Sequence, residues 1–146
     1  MKIPALGLLL ALGSCQSAPP APPLPAPLSY KERVPEATFD RQFEITVDEA
    51  GKMRTVLRRS LLRDICHSGQ LSPDRMRELE TILDRWAGST TNPPAAAQPW
   101  GILAYGDRRV SWAKGAPLPA EIGELVRWLK AVGEELPLEP DRDRGR

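Results

Sequence analysis

From residue 39 to residue 136 the apolar positions follow two periods. Phe43, Ile45 and Val47 alternate with Glu44 and Thr46, which predicts a half-buried strand. Asp48 to Gly51 then reads as a hairpin loop, with Gly51 free to take a positive φ. Lys52 to Arg58 alternates again, with Met53, Thr55 and Leu57 on one face and Lys52, Arg54 and Arg58 on the other. Leu61, Leu62, Ile65 and Cys66 fit either a strand end or a short helical turn. Ser72-Pro73 supplies a capping hydroxyl and a first-turn proline, and Met76, Leu79, Ile82, Leu83 and Trp86 follow on one helical stripe that Gly88 ends. Gly101 to Tyr105 and Arg109 to Lys114 read as a second hairpin across Gly106-Asp107. Ile122, Leu125, Val126, Leu129 and Val132 share one side of a closing helix stopped by Gly133. The expected order is β-β-α-β-β-α. It describes an α+β domain over 39–136, a small antiparallel sheet of two hairpins with two helices on one face.

The rest of the chain lacks such periods. Residues 88–99 read as a flexible linker inside the domain, and 137–146, ending in DRDRGR, as a disordered tail. At the other end, prolines at 19, 20, 22, 23, 25 and 27 exclude helix and sheet and favour extended polyproline II. A tether over 15–38 is expected, able to hold a domain up to about 60 Å from its anchor. Ahead of it, Lys2 and the apolar run Ile3 to Leu12 have the form of a signal peptide over 1–14, too short to span a bilayer.

Leu12-Gly13-Ser14-Cys15 resembles the lipobox of bacterial lipoproteins: an aliphatic residue, two small residues, then cysteine. The resemblance implies that the Cys15 thiol takes a diacylglyceryl thioether, that cleavage makes Cys15 the first mature residue, and that its acyl chains anchor the protein in membrane lipid. Gln16 is not the aspartate that retains Gram-negative lipoproteins in the inner membrane, so the same resemblance implies an exported, outer-membrane protein of the cell envelope.

Charge changes the picture little. Of 146 residues, 20 are Lys or Arg and 19 are Asp or Glu, and removing Lys2 with the leader leaves 19 against 19. A neutral chain gives no reason to expect nucleic acid. Catalytic constellations are sparse. His67 is the single histidine and Cys66 the single cysteine beyond Cys15, and strand neighbours point to opposite faces. Such a pair forms no dyad through adjacency and is too few for zinc. No phosphate-binding glycine loop and no nucleophile elbow occurs, so no catalytic residue, metal or cofactor is expected.

Two features suit binding. Lys52, Arg54, Arg58, Arg59 and Arg63 form a run with no acid among residues 52 to 63, suited to lipid phosphates or an acidic partner, or simply to a solvated strand face. Of the four tryptophans, Trp86, Trp112 and Trp128 fall at the core or its edge, while Trp100, beside the linker, is a candidate contact residue.

The layout over residues 42 to 132, closing with Leu118-Pro119 and then Leu125, Trp128 and Leu129, resembles emfourin, a small bacterial inhibitor of thermolysin-like metalloproteases. The resemblance implies a protease-inhibitor-like module. The glycine-rich stretch near that family's first strand has no counterpart here, and no inhibitory residue is carried over. The expected function is a membrane-anchored, non-catalytic binding module with a protein partner in the envelope. The alternatives are the inhibitor-like module and an envelope enzyme using Cys66.

Overall fold

The computed structural model describes residues 20–35 and 40–140. The leader, Cys15 with its lipobox, Phe39 and the last six residues of the tail lie outside the described residues. The chain is an α+β domain: one six-stranded antiparallel sheet and two helices. Strands β1 (Leu28–Pro35), β2 (Asp40–Val47), β3 (Lys52–Arg59) and β4 (Leu62–Gln70) form a meander. Helix α1 (Pro73–Gly88) follows, then the hairpin β5 (Gly101–Tyr105) and β6 (Arg108–Trp112), and helix α2 (Ala120–Glu135). The order across the sheet is β4-β3-β2-β1-β5-β6.

The expected two-hairpin order is corrected by two further strands. Leu61 to Cys66 belong to the turn after β3 and to β4, not to a helical turn. The larger correction is β1, which occupies residues assigned to the tether. It pairs with β2 on one side, Tyr30 opposite Ile45, and with β5 on the other, Tyr30 opposite Leu103, so it joins the two halves of the sheet. The domain therefore begins well before residue 39. Even Leu24, inside the proline tract, is buried and donates its N–H to the Glu49 carbonyl at 2.9 Å. Proline does not forbid β1, because Pro27 stands just ahead of its first paired residue and Pro35 is its last.

Registers put Leu28 and Tyr30, Ile45 and Val47, Met53 and Thr55, Leu103, Val110 and Trp112 on one face of the sheet. Both helices cover that face, and together these residues form a single core. Ser72 caps α1 through its hydroxyl, which accepts from the Arg75 N–H at 3.2 Å. Met76 in the first turn lies against Gly51, whose φ of 84° makes the β2–β3 turn. At the other end of α1, Arg108 of β6 lies over the Trp86 ring and donates to the carbonyls of Trp86 and Ser89. Helix α1 thus crosses the strands from β3 to β6, and α2 returns. Lys130 reaches Glu32 of β1 at 2.7 Å, and Gly133 lies on Thr55 of β3 so closely that an added Cβ would stand 2.7 Å from its methyl.

The reading of 137–146 as a disordered tail is corrected at its start. Ser68 donates its N–H to the Pro137 carbonyl at 3.1 Å, and Glu139 donates its own to the Cys66 carbonyl at 2.8 Å. Residues 136 to 139 therefore extend the sheet along β4 and cover its edge. Residues 89–99, within the span read as a linker, hold no regular element, although Pro93 is buried and Asn92 accepts a bond from Arg108 at 3.3 Å.

Candidate functional site

No helix among the described residues covers the opposite face of the sheet. Strand alternation places on it Ser29, Lys31 and Arg33 of β1, Gln42, Glu44 and Thr46 of β2, and Lys52, Arg54, Val56 and Arg58 of β3. Asp64 and Cys66 of β4, Ile102 and Ala104 of β5, and Arg109 of β6 complete it. Six cations here, Lys31, Arg33, Lys52, Arg54, Arg58 and Arg109, face Glu44, Asp64 and the docked Glu139. Lys31 and Arg58 both approach the Glu44 carboxylate at 3.8 Å, and Arg58 approaches Asp64 at 3.7 Å. These are exposed, long pairs that contribute little stability individually. Arg54 is held differently, forked onto both carboxylate oxygens of Glu139 at 2.8 and 3.2 Å. Val56 is buried despite standing on this face, because Arg54 and Arg58 flank it and their aliphatic stems can lie over it.

Between Trp100 and β2 the face sinks into a hollow of about 280 Å³ lined by Lys31, Arg33, Gln42, Glu44, Trp100 and Ile102. Trp100 is fixed there by its backbone: its N–H donates to the Trp112 carbonyl at 2.7 Å and its carbonyl accepts from Arg33 at 2.9 Å. Lys114 stands 5.1 Å from its ring centroid. The hollow thus sets an aromatic plane beside Arg33 and the Lys31–Glu44 pair, over a short apolar floor.

The residues singled out from sequence divide among three places. Lys52, Arg54 and Arg58 line up on the open face, and Trp100 borders the same face across β2 and β1. Arg59 does not join them. It follows a β-bulge, and its guanidinium donates to the Arg63 carbonyl at 2.8 Å, fastening the β3–β4 turn. Arg63 stands just after that turn, at the start of β4. Cys15 lies outside the described residues. Lys31, Arg33 and Arg109 went unrecognised from sequence. For the first two the signal existed in the alternation Leu28-Ser29-Tyr30-Lys31, obscured by the prolines before it.

Cys66 and His67 are on opposite faces, opposite Val56 and Thr55 respectively. The Cys66 sulfur accepts from Arg54 at 3.5 Å, whereas His67 Nδ1 lies 2.9 Å from the Leu136 carbonyl. They cannot act as a dyad. On the helix-bearing face, a second cleft of about 360 Å³ lies below α2, floored by Phe43, Leu57 and Ile65. At its margin Glu32 pairs with Lys130 at 2.7 Å. Burial, and then the adjacent Glu32 charge, push the Tyr30 phenol well above its ordinary range, so it stays protonated. Among the described residues no group of three or more His, Cys, Asp and Glu is placed to hold a metal ion, and no helix is long and apolar enough to cross a membrane. No known family model and no curated protein matches the chain.

Proposed function

We propose that this chain is a lipid-anchored bacterial envelope protein, tethered through Cys15, whose α+β domain is a non-catalytic module binding an acidic partner. The open, net-cationic sheet face around Trp100 carries this reading. A sheet face this large, left without a covering helix and with its cations outnumbering its acids, attracts and orients anionic surfaces. The lipobox-like Leu12-Gly13-Ser14-Cys15 supports the anchoring half. The Cys66 enzyme reading gains no support, since the thiol's hydrogen-bond partner is Arg54, a cation that cannot take its proton, and His67 faces the other way.

The test is covalent cross-linking in intact cells, comparing the native chain with Cys15→Ala and with the double variant Lys31→Glu/Arg33→Glu. One dominant captured protein is expected, reduced by Cys15→Ala and abolished by the charge reversal. Capture that survives the charge reversal unchanged would remove the open face from the proposal.

A further inference from the structure

The β3–β4 hairpin presents a feature that neither the core nor the open face uses. Its turn holds Ser60 and Leu61, and Leu62 opens β4. Leu61 is 80% exposed and Leu62 is 62% exposed, values reached by only one other large apolar side chain among the described residues, Leu138 at 64%. A two-residue hairpin turn favours asparagine, aspartate or glycine, so local backbone geometry does not account for leucine there. Around the two leucines, residues 58 to 64 carry Arg58, Arg59 and Arg63 against one acid, Asp64. Arg59 bonds the Arg63 carbonyl and so holds the tip in shape.

We infer that this tip docks the domain on an anionic lipid bilayer, with Leu61 and Leu62 entering the acyl boundary and the flanking arginines meeting headgroup phosphates. Two adjacent leucines ringed by cations are complementary to an apolar layer beneath a negative surface. A second copy of the tip would set arginine against arginine. The chain's entry and the tip stand at opposite ends of one edge of the sheet, so anchor and tip both meet a bilayer only when that edge lies along it. The chain enters the domain at Pro20 to Pro23, packed near Gln70 and Leu71 at one end of β4, and the leucines stand at the other end. Nine residues of β4 separate the two, about 30 Å. Leu138 lies along the same edge, bridged to His67. Five residues from Cys15 to Pro20 reach only about 15 Å in extended form. An anchor at Cys15 therefore holds the domain close enough for the β4 edge to lie along the membrane. That orientation, though not the affinity of the tip itself, rests on the reading of Cys15 as the anchor.

The test uses the chain from residue 15 onward with Cys15→Ser, which retains every described core residue, the first of them being Leu24, and has no acyl chain. It is sedimented with vesicles of phosphatidylglycerol and phosphatidylethanolamine, and with phosphatidylcholine vesicles alone. Binding to the anionic vesicles only is expected, weakened ten-fold or more by Leu61→Asn/Leu62→Asn, about five-fold by Arg63→Gln, and diminished by salt. Thermal melting confirms that each variant is folded, which their exposure favours. A folded chain that ignores anionic vesicles, or a leucine double variant that binds them like the parent, overturns the inference. The anchor is read separately, from the intact mass of the full chain extracted from membranes. Absence of acyl mass there would count against the anchor without altering the vesicle result.

Discussion

Gly101 shows how a single missing carbon shapes the sheet. It faces Trp112 across the β5–β6 pair, and an added Cβ would run into the indole ring. Trp112 in turn is buried and stacks on Tyr30, ring centroids 6.2 Å apart, so moving the ring would disturb the core. Gly101→Ala is expected to cost about 1–3 kcal/mol by overpacking, measured as a lower midpoint in urea melts without change in slope. A second residue-level expectation concerns Glu78. Its carboxylate accepts from the Trp128 indole at 3.1 Å and from Arg75 at 2.9 Å, and these bonds, the indole first, hold it below the ordinary carboxylate range. Because the folded value is the lower one, the contribution is present above the unfolded value and is lost as pH falls through the folded one. Titration by NMR should find the Trp128 indole N–H signal moving with the Glu78 carboxyl at a pH below that of an exposed glutamate.

Among the elements, β1 carries the most consequence for its length. It is bonded on both sides, and Leu28 and Tyr30 put two fully buried side chains into the core. A chain beginning at residue 39, where periodicity alone would start the domain, should lack cooperative unfolding and near-ultraviolet circular dichroism. A chain beginning at residue 20 should melt within a degree or two of one beginning at residue 15. Equal stability of all three would mean that β1 is dispensable. The helices and the β2–β3 hairpin were legible because their periods are strong and their punctuation is standard: Ser72-Pro73 at one helix start, and Gly51 in the turn, where φ is 84°. Strand β4 was not, since Leu62 to Gln70 has no clean alternation, and exposed leucines stand where a turn should be polar. Strand β1 was hidden by the prolines before it and by Glu32, an acid on the buried-face register that Lys130 pairs from elsewhere in the fold.

At the scale of the molecule, the two helices cover one face and leave two other surfaces with different characters. The open face gathers cations from β1, β3 and β6 around Trp100, while the β4 edge collects the exposed leucines. The basic run read along β3 divides between them: Lys52, Arg54 and Arg58 side by side on the open face, Arg59 and Arg63 at the hairpin tip. A partner captured on the open face and a bilayer met by the tip can be engaged together, since the tip projects from the β3–β4 turn and the hollow beside Trp100 opens over β2, β1 and β5.

The sequence by itself determined the local elements whose hydrophobic period is strong, the α+β class they compose, and the absence of any familiar catalytic motif. Those properties depend on neighbours within a few residues, which a linear pattern records. Tertiary structure alone decided that β1 joins the sheet, that Leu136 to Glu139 dock on β4, and that Cys66 and His67 face apart. It also decided that Lys31 and Arg33 stand beside Trp100, because pairing partners many residues apart set which side chains share a face.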